Sequence, residues 1–177
     1  MSFSTKKLRR YSLMRGYQFW EDPEFRKLVD YDKQEQEEQN RIYNEVIVTV
    51  IAMVVLMLES MSKHPKNEKL SEKINDLKDG YIENYISFLR ECKIPEQNVD
   101  LWRKLIDLRL EEYRGHMREY EKYLVDEMQW FQVVITGGFH HIRRGKPQGK
   151  DDPLFKLMKT WMRVLAEDLV KLVNELI

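Results

Sequence analysis

The residues able to do chemistry are few and unevenly placed. The chain has four histidines and a single cysteine. Glu45 and Glu59 bracket a long apolar run, and Glu112 stands four residues before His116, a spacing that puts both on one face of a helix. These four are the candidate metal ligands. In helical bundles, di-iron and di-manganese centres use Glu from two helices and Glu-x-x-His from two others. No histidine here follows a glutamate by three residues, so no cofactor is expected, and a di-metal centre at Glu45, Glu59, Glu112 and His116 is the alternative. The expected state of these groups is solvated or ion-paired carboxylates beside a partly buried imidazole. Cys92, flanked by Glu91 and Lys93, has nothing that marks it as an activated nucleophile.

A second candidate pair is Arg109 with His116. An arginine followed by a few residues and a histidine on a helix resembles the motif of HEPN-type ribonucleases. The resemblance implies that Arg109 would steady a phosphate and His116 would act in RNA cleavage across a dimer interface. It covers two residues, and Leu110 stands where that family commonly has a polar side chain.

The cations form a third group. Net charge is zero, which excludes the overall field of a general nucleic-acid binder. Yet no acid precedes Glu21, while Lys6, Lys7, Arg9, Arg10 and Arg15 all do. Tyr11, Tyr17, Phe19 and Trp20 interleave with them, so residues 1–21 read as a basic aromatic arm, whose rings either stack on bases or clasp a partner or equally pack onto the chain's own bundle. Organellar import is a minor alternative to a cytoplasmic location. Farther on, His140, His141, Arg143, Arg144, Lys146 and Lys150 lie in a glycine-rich stretch. Arg9, Arg10 and this stretch are the candidate contacts for an anion, a nucleic acid or an acidic partner. The Gly-Lys steps lack the following Ser or Thr of a phosphate-binding P-loop.

The elements that must carry these residues read as helices throughout. Asp22-Pro23 and Asp152-Pro153 each pair an N-cap with a proline at the first helical position. No Gly or Pro falls between Pro23 and Pro65, which predicts one helix from Pro23 to about Ser62. Its stretch Val46–Leu58, apolar apart from Thr49, spans about 20 Å as a helix. That is short of the roughly 30 Å hydrocarbon core of a bilayer and predicts burial on every side. A second helix is expected over Asn67–Cys92 and a third over Asn98–Ile135, stopped by Gly137-Gly138. After an irregular loop to Asp152 comes a last helix with Leu154, Met158, Trp161, Leu165, Leu169, Leu172 and Leu176 at heptad spacing. The expectation is an all-α, antiparallel up-down four-helix bundle over residues 22–177, with no transmembrane segment. The glycine inside the third helix, Gly115, reads first as a tolerated helix defect or bend, with a close approach by another helix or a ligand as the alternative.

This composition favours a non-enzymatic interaction protein, self-associating as a homo-oligomer or acting as a small subunit of a larger assembly. Its apolar surface exceeds what four helices need. A metal-dependent or ribonuclease-like enzyme centred on His116, and anion binding through the arm and the 143–150 loop, are the competing expectations.

Overall fold

The computed structural model describes residues 3–120, 129–144 and 151–177, with the side chain of Tyr120 excepted. The chain is all-α. Among the described residues there are seven α-helices, two short 3-10 turns and no strand. The helices are α1 (Phe3–Glu21), α2 (Pro23–Leu28), α3 (Gln36–Lys63), α4 (Ser71–Glu91), α5 (Glu96–Tyr120), α6 (Gln129–Ile142) and α7 (Pro153–Leu176).

α3 is the axis of the fold. It packs against α1, α4, α5, α6 and α7, and every residue of Val46–Leu58 is buried. Among the described residues, α3 alone is long and apolar enough to cross a membrane, but its apolar sides are covered by the chain's own helices. The excess hydrophobicity that suggested a partner is therefore satisfied within one chain.

Three boundaries differ from expectation. The helix expected from Pro23 breaks after Leu28. Asp30 adopts a left-handed conformation (φ 49°), and a short turn buries Tyr31 against Trp20, edge to face at 5.7 Å. Gln39 secures the turn by donating its Nε2 to the carbonyls of Tyr31 and Gln34. The break lets Phe25, Val29 and Tyr31 join Phe19, Ile42, Val46 and Phe139 in a second core. Helical periodicity alone does not register such a reversal, because the same residues keep an apolar rhythm on either side of it.

The helix expected over Asn98–Ile135 is two helices that lie side by side. Gln129 donates to the Met117 carbonyl at 2.9 Å, and His141 meets Glu112 at 2.9 Å. α5 and α6 therefore run antiparallel. α6 also passes through Gly137-Gly138, where a helix stop was expected. A Cβ on Gly137 would lie 2.2 Å from the Tyr113 ring, and one on Gly138 would lie 2.6 Å from Thr49. These glycines are interior to the helix because they let α6 sit directly on α5 and α3.

Residues 3–21, read from sequence as an arm, form α1. It buries Leu8, Ser12, Gly16 and Phe19 and runs antiparallel to α7. Tyr11 donates to Asp168 at 2.9 Å, Ser4 to the Leu176 carbonyl at 3.4 Å, and Phe19 stacks on Trp161 at 4.6 Å. The two Asp-Pro starts behave as their chemistry dictates. Asp22 accepts from the amides of Glu24 and Phe25, both at 2.9 Å, and Asp152 accepts from Leu154 at 2.8 Å. Of the heptad positions of α7, Leu154, Met158, Leu165, Leu169 and Leu172 are buried and Leu176 is half-buried, with Met162 buried where Trp161 is only half-buried.

Candidate functional site

The densest polar cluster lies where α3, α5 and α6 meet, and it draws members from all three groups of sequence candidates. Glu45 faces α5 from the start of the apolar part of α3, with its side chain only 7% exposed. Arg109 of α5 answers it with a two-pronged contact, Nη2 to Oε1 at 2.6 Å and Nε to Oε2 at 3.1 Å. The same guanidinium reaches Glu112 at 3.3 Å. Glu112 in turn holds Nε2 of His141, from the last turn of α6, with both carboxylate oxygens at 2.9 Å.

The electrostatics of this chain of groups are self-consistent. Burial acts to lower the pKa of Arg109, but the Glu45 carboxylate more than offsets it, and the net shift is upward. Burial, with the Glu45 charge added, raises the phenol of Tyr113 above its ordinary value, so Tyr113 stays neutral beneath the cluster. The guanidinium occupies the position between two carboxylates that a metal cation would take, and a bidentate fork fits it closely.

The end of α6 is held by a second ring of charge. Arg41 donates to the carbonyls of His141 and Ile142 at 2.6 and 2.9 Å, satisfying groups that the helix leaves open at its C-terminus. Arg41 also pairs with Glu38, which takes Arg144 as well. The Arg41 hydrogen bonds hold the Glu38 carboxyl below its ordinary pKa in spite of partial burial. Arg144 itself has φ 51°, so it fills the left-handed position that follows the helix. Arg143 donates to the Leu28 carbonyl and to Asp152, each at 2.9 Å. It thereby links the end of α2 to the N-cap of α7.

The remaining candidates fall elsewhere. Glu59 pairs with Arg114, fourteen residues along α3 from Glu45, a separation of about 21 Å on a helix. His116 is half-buried on α5 two turns beyond Arg109, about 10 Å along the axis. Among the described residues, no group of three or more His, Cys, Asp or Glu side chains is arranged to hold a metal ion. Among the described residues, a Cβ added to Gly115 would meet only the end of Arg118 at 4.0 Å. That suits a tolerated helix glycine, and close approaches occur at Gly137 and Gly138 instead. His140 is exposed, Arg10 is exposed and Arg9 is buried. Lys146 and Lys150 lie outside the described residues. Of the cations expected to meet an anion, Arg143 and Arg144 are committed to internal carboxylates.

Sequence reading missed Arg41 and Glu38 as partners of the α6 terminus. The available signal was a Glu-Arg pair at i, i+3, common on solvated helices and silent about what lies a hundred residues away. It also separated Glu45, Arg109 and His141 into three unrelated hypotheses. The chain matches no protein family, no curated protein and no solved structure.

Proposed function

We propose that this chain is a non-enzymatic helical interaction protein that self-associates or serves as a subunit of a larger assembly. We also read its helices as an up-and-down bundle wound around α3, extended beyond four helices by α1 and by the α5–α6 pair. The observation that carries the functional reading is a stripe on α5. Leu101, Leu105 and Leu108 recur at i, i+4 and i+7, the spacing of a helix–helix seam. Leu105 packs on the core, while Leu101 and Leu108 are each 56% exposed.

The polar cluster supports the same reading from the other side. Arg109, which a ribonuclease would aim at a phosphate, is forked onto Glu45, Glu59 is forked onto Arg114, and Glu112 is shared between Arg109 and His141. Their arrangement joins helices to one another. An exposed leucine seam flanked by Arg103, Lys104, Asp107 and Glu111 suits an antiparallel α5–α5 contact between two copies, where charges of both signs can pair. Sedimentation of the full chain over a wide concentration range tests it. Association that is lost in Leu101→Glu/Leu108→Glu, with the helical circular dichroism unchanged, is expected. A monodisperse monomer throughout overturns the self-association.

A further inference from the structure

α1 carries a cation that no described acid neutralises. Arg9 is only 7% exposed. Its Cζ lies 4.1 Å from the centroid of the Phe88 ring, and its Nε is buried without a hydrogen-bond partner. The ion pairs of α1 use Lys7 and Arg15; among the described residues none involves Arg9 or Arg10. A guanidinium cannot shed its proton inside a protein. A buried unpaired charge is expensive, and stacking on Phe88 offsets only part of that cost.

Arg9 and Arg10 open onto one cavity of about 510 Å³ between α1, α3, α4 and the start of α5. Its size falls within the roughly 300–1,000 Å³ of ordinary ligand sites. The walls are aromatic: Tyr43 from α3, Tyr85 and Phe88 from α4, and Trp102 from α5. Tyr85 and Trp102 meet edge to face at 5.6 Å. Burial raises the pKa of the Tyr43 and Tyr85 phenols, so both remain hydrogen-bond donors. Met14 and Tyr17, 47% and 45% exposed, complete the lining on α1. The cavity thus combines flat apolar walls with a buried positive charge that lacks a counter-ion.

We propose that this cavity binds an amphipathic organic anion, a planar apolar body against the aromatic walls with a carboxylate or phosphate on the Arg9 guanidinium. The anion supplies the counter-charge that Arg9 lacks. Arg10 adds a second, solvent-facing cation that attracts the same head group. The site is distinct from the leucine stripe of α5 and does not depend on self-association.

The test titrates the full chain with 2-naphthoate, 2-naphthyl phosphate and the neutral 2-naphthylmethanol, followed by calorimetry and by tryptophan fluorescence. At least one of the two anions is expected to bind one per chain and about tenfold or more tighter than the neutral compound, the effect of one charge-assisted hydrogen bond. The anion that binds tighter identifies the head group. Arg9→Met, which keeps the stem and removes the charge, is expected to erase the preference for the anions. Absence of saturable binding by either anion overturns the proposal, as does equal affinity for the neutral compound. Retained anion preference in a folded Arg9→Met overturns it too. The comparison of charged and neutral compounds on the unaltered chain decides the matter by itself if that variant fails to fold.

Discussion

Removing Arg109 should cost far more than removing Arg109 and Glu45 together. In Arg109→Met the Glu45 carboxylate stays in its site, only 7% exposed, with its two guanidinium contacts at 2.6 and 3.1 Å gone. Breaking a buried pair in this way costs about 3–5 kcal/mol, because the surviving charge is left without compensation. Arg109 also releases Glu112, but that carboxylate is more exposed and keeps His141, so it adds little. For a chain of this length, each kcal/mol lowers the melting temperature by about 2–4 °C, giving a fall of roughly 6–20 °C. Glu45→Met/Arg109→Met replaces the pair with apolar atoms of similar volume and should lie within about 1 kcal/mol of the unaltered chain or above it. Urea unfolding of the two single variants and the double variant forms a complete cycle. A cost below about 1 kcal/mol for Arg109→Met would mean that water or another cation reaches Glu45, and the account of the cluster as a closed internal junction would fail.

Two further predictions concern glycines and acid. Gly138→Ala should destabilise by about 1–3 kcal/mol or more, since its Cβ would lie 2.6 Å from Thr49, whereas Gly115→Ala, whose Cβ would come no nearer than 4.0 Å to a described neighbour, should stabilise by about 0.5–1 kcal/mol; thermal melts of the pair check both signs. The Glu38 and Asp152 carboxyls are held below their ordinary pKa values, Glu38 by its hydrogen bonds to Arg41, and Asp152 by Arg143 and the Leu154 amide against the opposing effect of burial. Depressed folded values mean that their stabilisation is full above the unfolded range near pH 4 and is lost as pH falls through the folded values. Unfolding midpoints measured downward from neutral pH should therefore drop in that window, and Glu38→Gln should shallow the drop; an unchanged slope would contradict the pairing.

The helical class, the two Asp-Pro starts and the full burial of Val46–Leu58 were legible because each follows from local chemistry or from a continuous apolar run. The chain reversals were not. Asp30 carries no glycine to announce its left-handed turn, and the α5–α6 pair keeps one apolar rhythm across a change of direction. Gly137-Gly138 misled for a physical reason: the missing side chain that suits a helix end suits a close helix crossing equally well. The polar site was half legible. Glu45 stood out as an acid beside an apolar run, but what neutralises it is an arginine sixty-four positions away. Arg9 looked like one cation among five in a basic segment, and only the packing of α1 onto Phe88 separates it from the rest.

The antiparallel seam of α1 and α7 has a consequence for the order in which the molecule is made. Tyr11 meets Asp168 and Ser4 meets Leu176, pairs separated by nearly the whole length of the chain. As synthesis proceeds from the first residue, α1 can settle on α3 and α4 early, yet the flank that carries Tyr11 and Phe19 has nothing to lie against until α7 has emerged. The closing step joins the two most distant segments, a non-local contact whose loop-closure entropy must be met before it forms. Until it happens, the nascent chain leaves Tyr11 and Phe19 without the partners that α7 gives them in the finished protein.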